Sequence, residues 1–365
     1  MSQQKQKHQQ STKPLSNPID AVGQLWNRSN AQIQSVIKEL NGPDIQREGT
    51  ITHPLTREPI NLENQLQKGR SNPNGLAGQL MGDLAFHPTQ GPQVDPNLIR
   101  FFVPGLNTQE PEASDRTQYY AEALKQSMLH IHNGSHETAQ LGDFNSQNLD
   151  YIVSGLGRLG LRNPPLLHKI ETLLEANFSQ AEPQDIHAIL YSDSTIHGLN
   201  AIKSFREKEI KRRVNRYPFH MQMFMVSKVA QEVDDLLHKH VFVELHGNAV
   251  SELPQGPKYL VWTDKRDPLN HKNVPVLGSI GLNADNKAKN PDAAYIDYSG
   301  PYAGFDAHNI QAYGVHFVKA TLDANGVSSP QELYDLIKAG TPIVIPTDVQ
   351  GDESKLWNKP AALQK

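Results

Sequence analysis

From Leu98 onward the chain alternates short apolar runs with stretches of helical periodicity, and few folds accept that alternation. "LIRFFVPG" (Leu98–Gly105), Ile186–Tyr191, "HVFVELHG" and "KYLVWT" are each short, apolar and closed by turn-forming or polar residues, as buried strands are. Between them lie helix-like segments. "EASDRTQYYAEALKQSML" runs to about Leu129, and "HIHNGSH" after it suits a strand end and loop. Leu149, Ile152, Val153 and Leu156 fall on one helical face, as do Leu166, Ile170, Leu173 and Leu174 behind Pro164–Pro165, a favourable helix start. "TIHGLNAIKSFREKEIKRR" follows the second strand directly, and Val226, Val229, Val233, Leu236 and Leu237 mark another amphipathic helix. Near the C-terminus Ser329 is placed to cap, Pro330 to start and Gly340 to close a last helix, with Glu332 completing a capping box. Strands alternating with helices predict an α/β fold: a doubly wound, mostly parallel sheet covered on both faces.

The first third reads differently. Residues 1–30 include "MSQQKQKHQQSTKPLSNP", which has almost nothing to bury and is expected to be a disordered tail. Residues 31–95 are expected to form an N-terminal extension. It would hold a short helix near Ile33–Leu40, a small hairpin at "GTITHPLTREPI", and a loop at the Gly-, Pro- and Asn-rich "RSNPNGLAGQLMGDLAFHPTQGPQVDPN". The main domain is placed at 96–350 and a C-terminal tail at 351–365. With no cysteine among 365 residues, disulfide frameworks, thiol nucleophiles and thiolate metal sites are excluded. A net charge of −4 implies neither a polyanion nor a membrane surface as partner. The N-terminus has no apolar signal core, and no stretch reaches the roughly 20 apolar residues of a spanning helix. The expectation is a soluble protein, cytoplasmic when made, without an integral membrane segment; export by a non-Sec route would leave no readable mark.

Three motifs invite functions that their contexts do not support. "GLGRLG" (Gly155–Gly160) fits G-x-G-x-x-G, but a helical pattern precedes it and "LRNPP" follows, whereas a dinucleotide site needs a strand before and a helix starting within. His130 and His132 alternate as a metal pair on a strand would, with His136 nearby, yet no third ligand or supporting shell is identifiable. The basic run Lys203–Arg216 carries two glutamates and sits at the end of a helix, where the dipole favours cations; a solvated helix end accounts for it without nucleic acid.

"IHAILYSDSTIHGLNAI" (Ile186–Ile202) is different in kind. A buried strand, a tight turn bearing serines and an immediate helix form the arrangement that presents a nucleophile, with the helix N-terminus facing a developing oxyanion. Ser192 sits at the junction. The segment resembles the nucleophile elbow of lipase/esterase-like α/β-hydrolases, where "HSQGT" or "HSMGG" stands for "YSDST". On that resemblance Ser192 takes the nucleophile position and Asp193 supplies the following backbone N–H. Ser194 replaces a small glycine, and Leu190 stands where glycine or alanine is usual, a departure that would crowd the turn. Ser194 as nucleophile fits worse, because Ile196 would then occupy the position two after it.

The resemblance extends over about residues 98–320. "FFVPGLNTQ" looks like the strand and loop that contribute the second oxyanion N–H, with Gly105 permitting close approach and Leu106 or Asn107 as donor. "KYLVWTDKRDPLN" offers Asp267 as the acid, with Asp264 second; "GPYAGFDAHNIQAYG" offers His308, with His316 and His271 as alternatives. The order Ser192, Asp267, His308 is that of the family. The resemblance implies a serine hydrolase acting on a carboxylic ester, a lipid ester among the candidates, with no metal or organic cofactor. The other expectation from the same residues is a catalytically inactive hydrolase fold that serves as a binding protein or secreted effector, its protein partner engaged through the N-terminal extension. The bland reading makes Ser192 a helix cap and Asp267 an Asx-turn residue.

Overall fold

The computed structural model describes residues 48–91, 95, 97–105, 108, 110–133, 165–250, 252–267, 284–299, 314–347 and 349. The expectations for 1–47, for the "GLGRLG" segment and for 351–365 lie outside the described residues.

Six strands form one sheet, all parallel, in the order β4-β3-β5-β6-β7-β8: β3 (Leu98–Val103), β4 (Leu129–His130), β5 (Asp185–Tyr191), β6 (Val241–His246), β7 (Lys258–Asp264) and β8 (Ala294–Tyr298). The central strands are buried on both faces, which is why they read as continuous apolar runs rather than alternating ones. A separate antiparallel pair, β1 (Ile51–Thr52) and β2 (Pro59–Ile60), closes the hairpin expected from "GTITHPLTREPI".

Two apolar layers clamp the sheet. One side packs Ile99, Phe101, Ile186, Ala188, Leu190, Val243 and Leu245 against α1 (Leu62–Arg70), α2 (Gly75–Met81), α4 (Pro165–Phe178), α5 (Ser194–Val214) and α6 (Phe219–His240). The other packs Phe102, Ile189, Leu260, Trp262 and Ile296 against α3 (Glu110–Leu124), α8 (Val315–Ala324) and α9 (Pro330–Lys338), with the short α7 (Ala284–Lys289) before β8. This is a doubly wound α/β sheet, and its strand order and helix placement are consistent with an α/β-hydrolase fold.

Several helix ends follow from their sequence. In α9, Ser329 accepts from the Glu332 amide at 3.3 Å and Pro330 opens the helix. Gly340 takes φ +74°, a conformation glycine adopts without cost. Two expectations are corrected. The Gly- and Asn-rich stretch after Arg70 is not loop throughout: Gly75–Met81 is helical, because Leu76, Ala77, Leu80 and Met81 bury against the sheet and the Gln184 side chain accepts from the Ala77 amide at 2.6 Å. Tertiary burial there outweighs weak helix propensity. The helix after β3 ends at Leu124, and Leu129 already belongs to β4.

Candidate active site

At the carboxyl ends of the strands, where open α/β sheets hold their ligands, β5 runs into α5 through a turn of two residues, Ser192 and Asp193. Ser192 has φ +56°, the left-handed region that a non-glycine residue enters at about 1–3 kcal/mol when its surroundings over-determine it. The surroundings do so from three directions. The Ser192 amide donates to the His246 carbonyl at the end of β6, at 2.8 Å. The Thr195 hydroxyl donates to the Ser192 carbonyl at 2.6 Å and accepts from the Ala249 amide at 3.0 Å, tying the turn to the loop after β6. The Ser194 hydroxyl accepts from the Tyr191 amide at 2.8 Å, and its single proton is shared between the Val103 carbonyl at 2.9 Å and that of Tyr191 at 3.0 Å. Ser194 is thus fully buried as a tie between β3 and the turn, while Ser192 is half-buried at its tip.

The crowding expected of Leu190 does not occur. Its side chain turns into the layer beneath α5, where Gly198 leaves room: a Cβ on Gly198 would stand 2.4 Å from Leu190 Cδ1. The small residue lies one turn up the helix rather than in the turn. On the β3 side, Gly105 lies so close that a Cβ there would come 3.0 Å from Ser192 Cβ and 2.9 Å from Tyr191 Cδ1. Gly105 therefore meets the tip of the turn, the close approach expected of it from the sequence. Leu106 and Asn107 lie outside the described residues. Asp193 precedes the first residue of α5; its carboxylate does not cap the helix but lies 3.2 Å from His197 Nε2, both groups buried.

Asp264 and Asp267 are fully buried at the end of β7. The Asp267 amide donates to the Asp264 carbonyl at 3.2 Å and the Arg266 amide to Asp264 Oδ1 at 2.9 Å, so the two acids share one turn. Asp264 pairs with Tyr298 in the sheet and the Lys265 amide donates to the Tyr298 carbonyl at 2.8 Å, which sets this turn at the end of β8. Burial pushes the Tyr298 hydroxyl well up, and the charges of Asp264 and Asp267 add to it. His308 and His271 lie outside the described residues. His316 lies on α8, its ring hydrogen-bonded to the Tyr119 hydroxyl. His130 and His132 are buried with ring centroids 6.3 Å apart, and His130 Nδ1 meets the Thr117 hydroxyl at 3.0 Å. Among the described residues no group of three or more His, Cys, Asp or Glu is arranged to hold a metal.

Beneath the turn runs a polar chain that sequence reading missed. Arg100 Nε donates to His187 Nδ1 at 3.1 Å, which leaves His187 Nε2 as donor to Glu244 Oε2, also 3.1 Å away. The other Glu244 oxygen accepts from His246 Nε2 at 2.8 Å and Trp262 Nε1 at 3.0 Å. Burial alone would raise the Glu244 carboxyl, but the bonds from His187 and His246 outweigh it and bring it down to about 2. Burial lowers Arg100 to about 10 and lowers His187 too. The chain spans β3, β5, β6 and β7 and ends at His246, whose carbonyl holds the Ser192 amide. Its sequence signal was Phe242, Glu244 and His246 alternating along β6, a polar pair on one face of a strand otherwise read only as apolar.

No family model matches the chain, and no curated protein matches it. Among solved structures it is similar to FphF of Staphylococcus aureus, one of the fluorophosphonate-binding serine hydrolases, in its substrate-bound form. The identity is 15%, the match covers 64% of this chain and 84% of that one, and the TM-score is 0.26. The fold assignment above stands on strand order, helix placement and the turn at Ser192 rather than on that likeness.

Proposed function

We propose that the chain is a serine hydrolase that cleaves a carboxylic ester, with Ser192 as nucleophile. The observation that carries this is the positive φ of Ser192 at a strand-to-helix junction clamped by its neighbours. A residue that only caps a helix keeps extended backbone and needs no such strain. A nucleophile lifted on a sharp turn above a helix N-terminus does need it.

In this scheme His308 takes the Ser192 proton as the hydroxyl attacks the ester carbonyl, then returns it to the leaving alcohol. Asp267 orients the imidazole and stabilises its charged form. The amides of Asp193 and Leu106 hold the oxyanion, each contributing about 3–4 kcal/mol in the transition state. Water repeats the sequence to release the acid. The position of Gly105 against Ser192 supports the β3 loop as the source of the second donor. A fluorophosphonate probe tests the proposal: labelling of wild type that disappears in Ser192→Ala and survives in Ser194→Ala is expected, and an unlabelled, folded wild type would falsify it.

A further inference from the structure

α5 and α6 form a hairpin whose tip gathers most of the exposed large apolar side chains among the described residues. Between Lys203 and Lys228 the sequence places eight cations against two glutamates, in a chain whose net charge is −4. Of these cations, Arg206 pairs with Asp234 and Lys208 with Glu171 and Glu175, which leaves the excess at the tip to Lys211, Arg216 and Lys228. One of those glutamates, Glu209, is already held by Arg212 and Arg213 at 2.6 Å. Lys211, Arg212, Arg216 and Lys228 are exposed. In the midst of these cations the first turns of α6 present large apolar side chains: Phe219 is 90% exposed, Met223 78% and Phe224 76%, with Met221 and Val226 at 41% and 45%.

Such a group is costly in water and is not part of the active site. α5 alone, at 21 residues, spans about 31 Å from its start beside Ser192 to the tip. Along α6 the buried residues are Val229, Val233 and Leu237; Phe219, Met223 and Val226 extend the same helical stripe beyond the part of the fold that covers it. Basic residues flanking exposed Phe and Met are the combination by which a protein surface seats in the headgroup region of an anionic bilayer, apolar side chains entering and cations meeting lipid charge. A polyanion such as nucleic acid would use the cations and could stack on phenylalanine, but gives methionine nothing to enter.

We infer that the tip formed by Lys211–Lys228 docks on anionic lipid bilayers. The inference does not rest on the hydrolase proposal, since the tip lies a helix length from Ser192. Flotation of the full chain with vesicles of phosphatidylcholine alone, and of equal parts phosphatidylcholine and phosphatidylserine, tests it. Binding is expected to the anionic vesicles, weakening as salt rises. Phe219→Ser/Phe224→Ser should reduce it more than tenfold, and Lys211→Gln/Arg216→Gln by about fivefold for each cation removed. Both variants should keep the circular dichroism spectrum of wild type, because every substituted side chain is exposed. Absence of binding to anionic vesicles at low salt overturns the inference. So does undiminished binding by the Phe variant, a self-associated wild type that becomes monomeric in the Phe variant, or equal affinity for a short RNA that the Phe variant retains.

Discussion

Leu190 fills the space that Gly198 leaves open, side chain against bare backbone across the β5–α5 junction. That pair explains how a leucine two residues before Ser192 is tolerated. It also predicts that Gly198→Ala lowers stability. Alanine gains about 1 kcal/mol in helix propensity, but overpacking a fully buried site costs about 1–3 kcal/mol. Urea unfolding should show a net loss, and Leu190→Ala, itself costly as a cavity, should cost less in the Gly198→Ala background than alone. Additive effects would mean that the two side chains do not compete.

The strain at Ser192 and the buried bonds of Ser194 give the two serines opposite expected effects on stability and labelling. Ser192→Gly should raise stability by about 1 kcal/mol, since glycine adopts φ +56° freely, while abolishing fluorophosphonate labelling. Ser194→Ala should do the reverse, losing about 1–3 kcal/mol through the stranded Tyr191 amide and keeping the label. Thermal unfolding and labelling on the same samples read both.

Asp267 and Asp264 share a turn, and kinetics distinguish them. Asp267→Asn is expected to cut kcat on a soluble ester by about 10⁴-fold, as loss of the correct imidazole tautomer does elsewhere. Asp264→Ala should act chiefly on stability, because its Oδ1 holds the Arg266 amide. The opposite ranking would transfer the acid role to Asp264.

Glu244 sets an acid limit on the fold. Its folded pKa is depressed, from 4.5 to about 2, so its contribution is present above the unfolded value and is lost as pH falls from about 4.5 toward 2. Urea midpoints measured at pH 7, 4 and 3 should fall over that window. Glu244→Gln should remove that part of the pH dependence and cost about 3 kcal/mol at neutral pH, because the buried donors on His187, His246 and Trp262 lose a charged acceptor and Arg100 keeps only Asp95 as a counter-charge. An unchanged slope in the variant would put the acid sensitivity in other carboxylates.

Most elements from Leu98 to Asp264, and the last helix at Pro330–Lys338, were legible because those strands are apolar runs bounded by polar residues and those helices carry a stripe. β8 and α8 were not read, and β8 (Ala294–Tyr298) alternates buried and half-buried residues instead of forming an apolar run. The turn at Ser192 was legible because strand, serine and helix are contiguous. Gly198 was not: its role depends on a contact across a turn, and glycine in a helix reads only as weak propensity. Arg100, His187 and Glu244 are far apart in sequence and meet only through strand register. Helix Gly75–Met81 was hidden by its composition, and its Gln184 partner is distant. The roles given to Ser192, Asp193, Asp267, Leu106 and His308 are proposals from order and resemblance.

The Glu244 chain has a consequence for how the strands find one another. Side chains alternate faces along a strand, so a slip of β6 by one residue would turn Glu244 into the aliphatic layer of Val229, Val233 and Leu237 and set Val243 or Leu245 before His187 and Trp262. An unpaired carboxylate buried there is prohibitive, and Arg100 would lose the larger of its two counter-charges at the same time. Parallel strands that are apolar on both faces have little else to tell one alignment from the next. A single glutamate, read by partners on β5, β6 and β7, therefore acts as an address: it admits one pairing of the central strands, and that pairing is the one that brings the end of β6 beside Ser192.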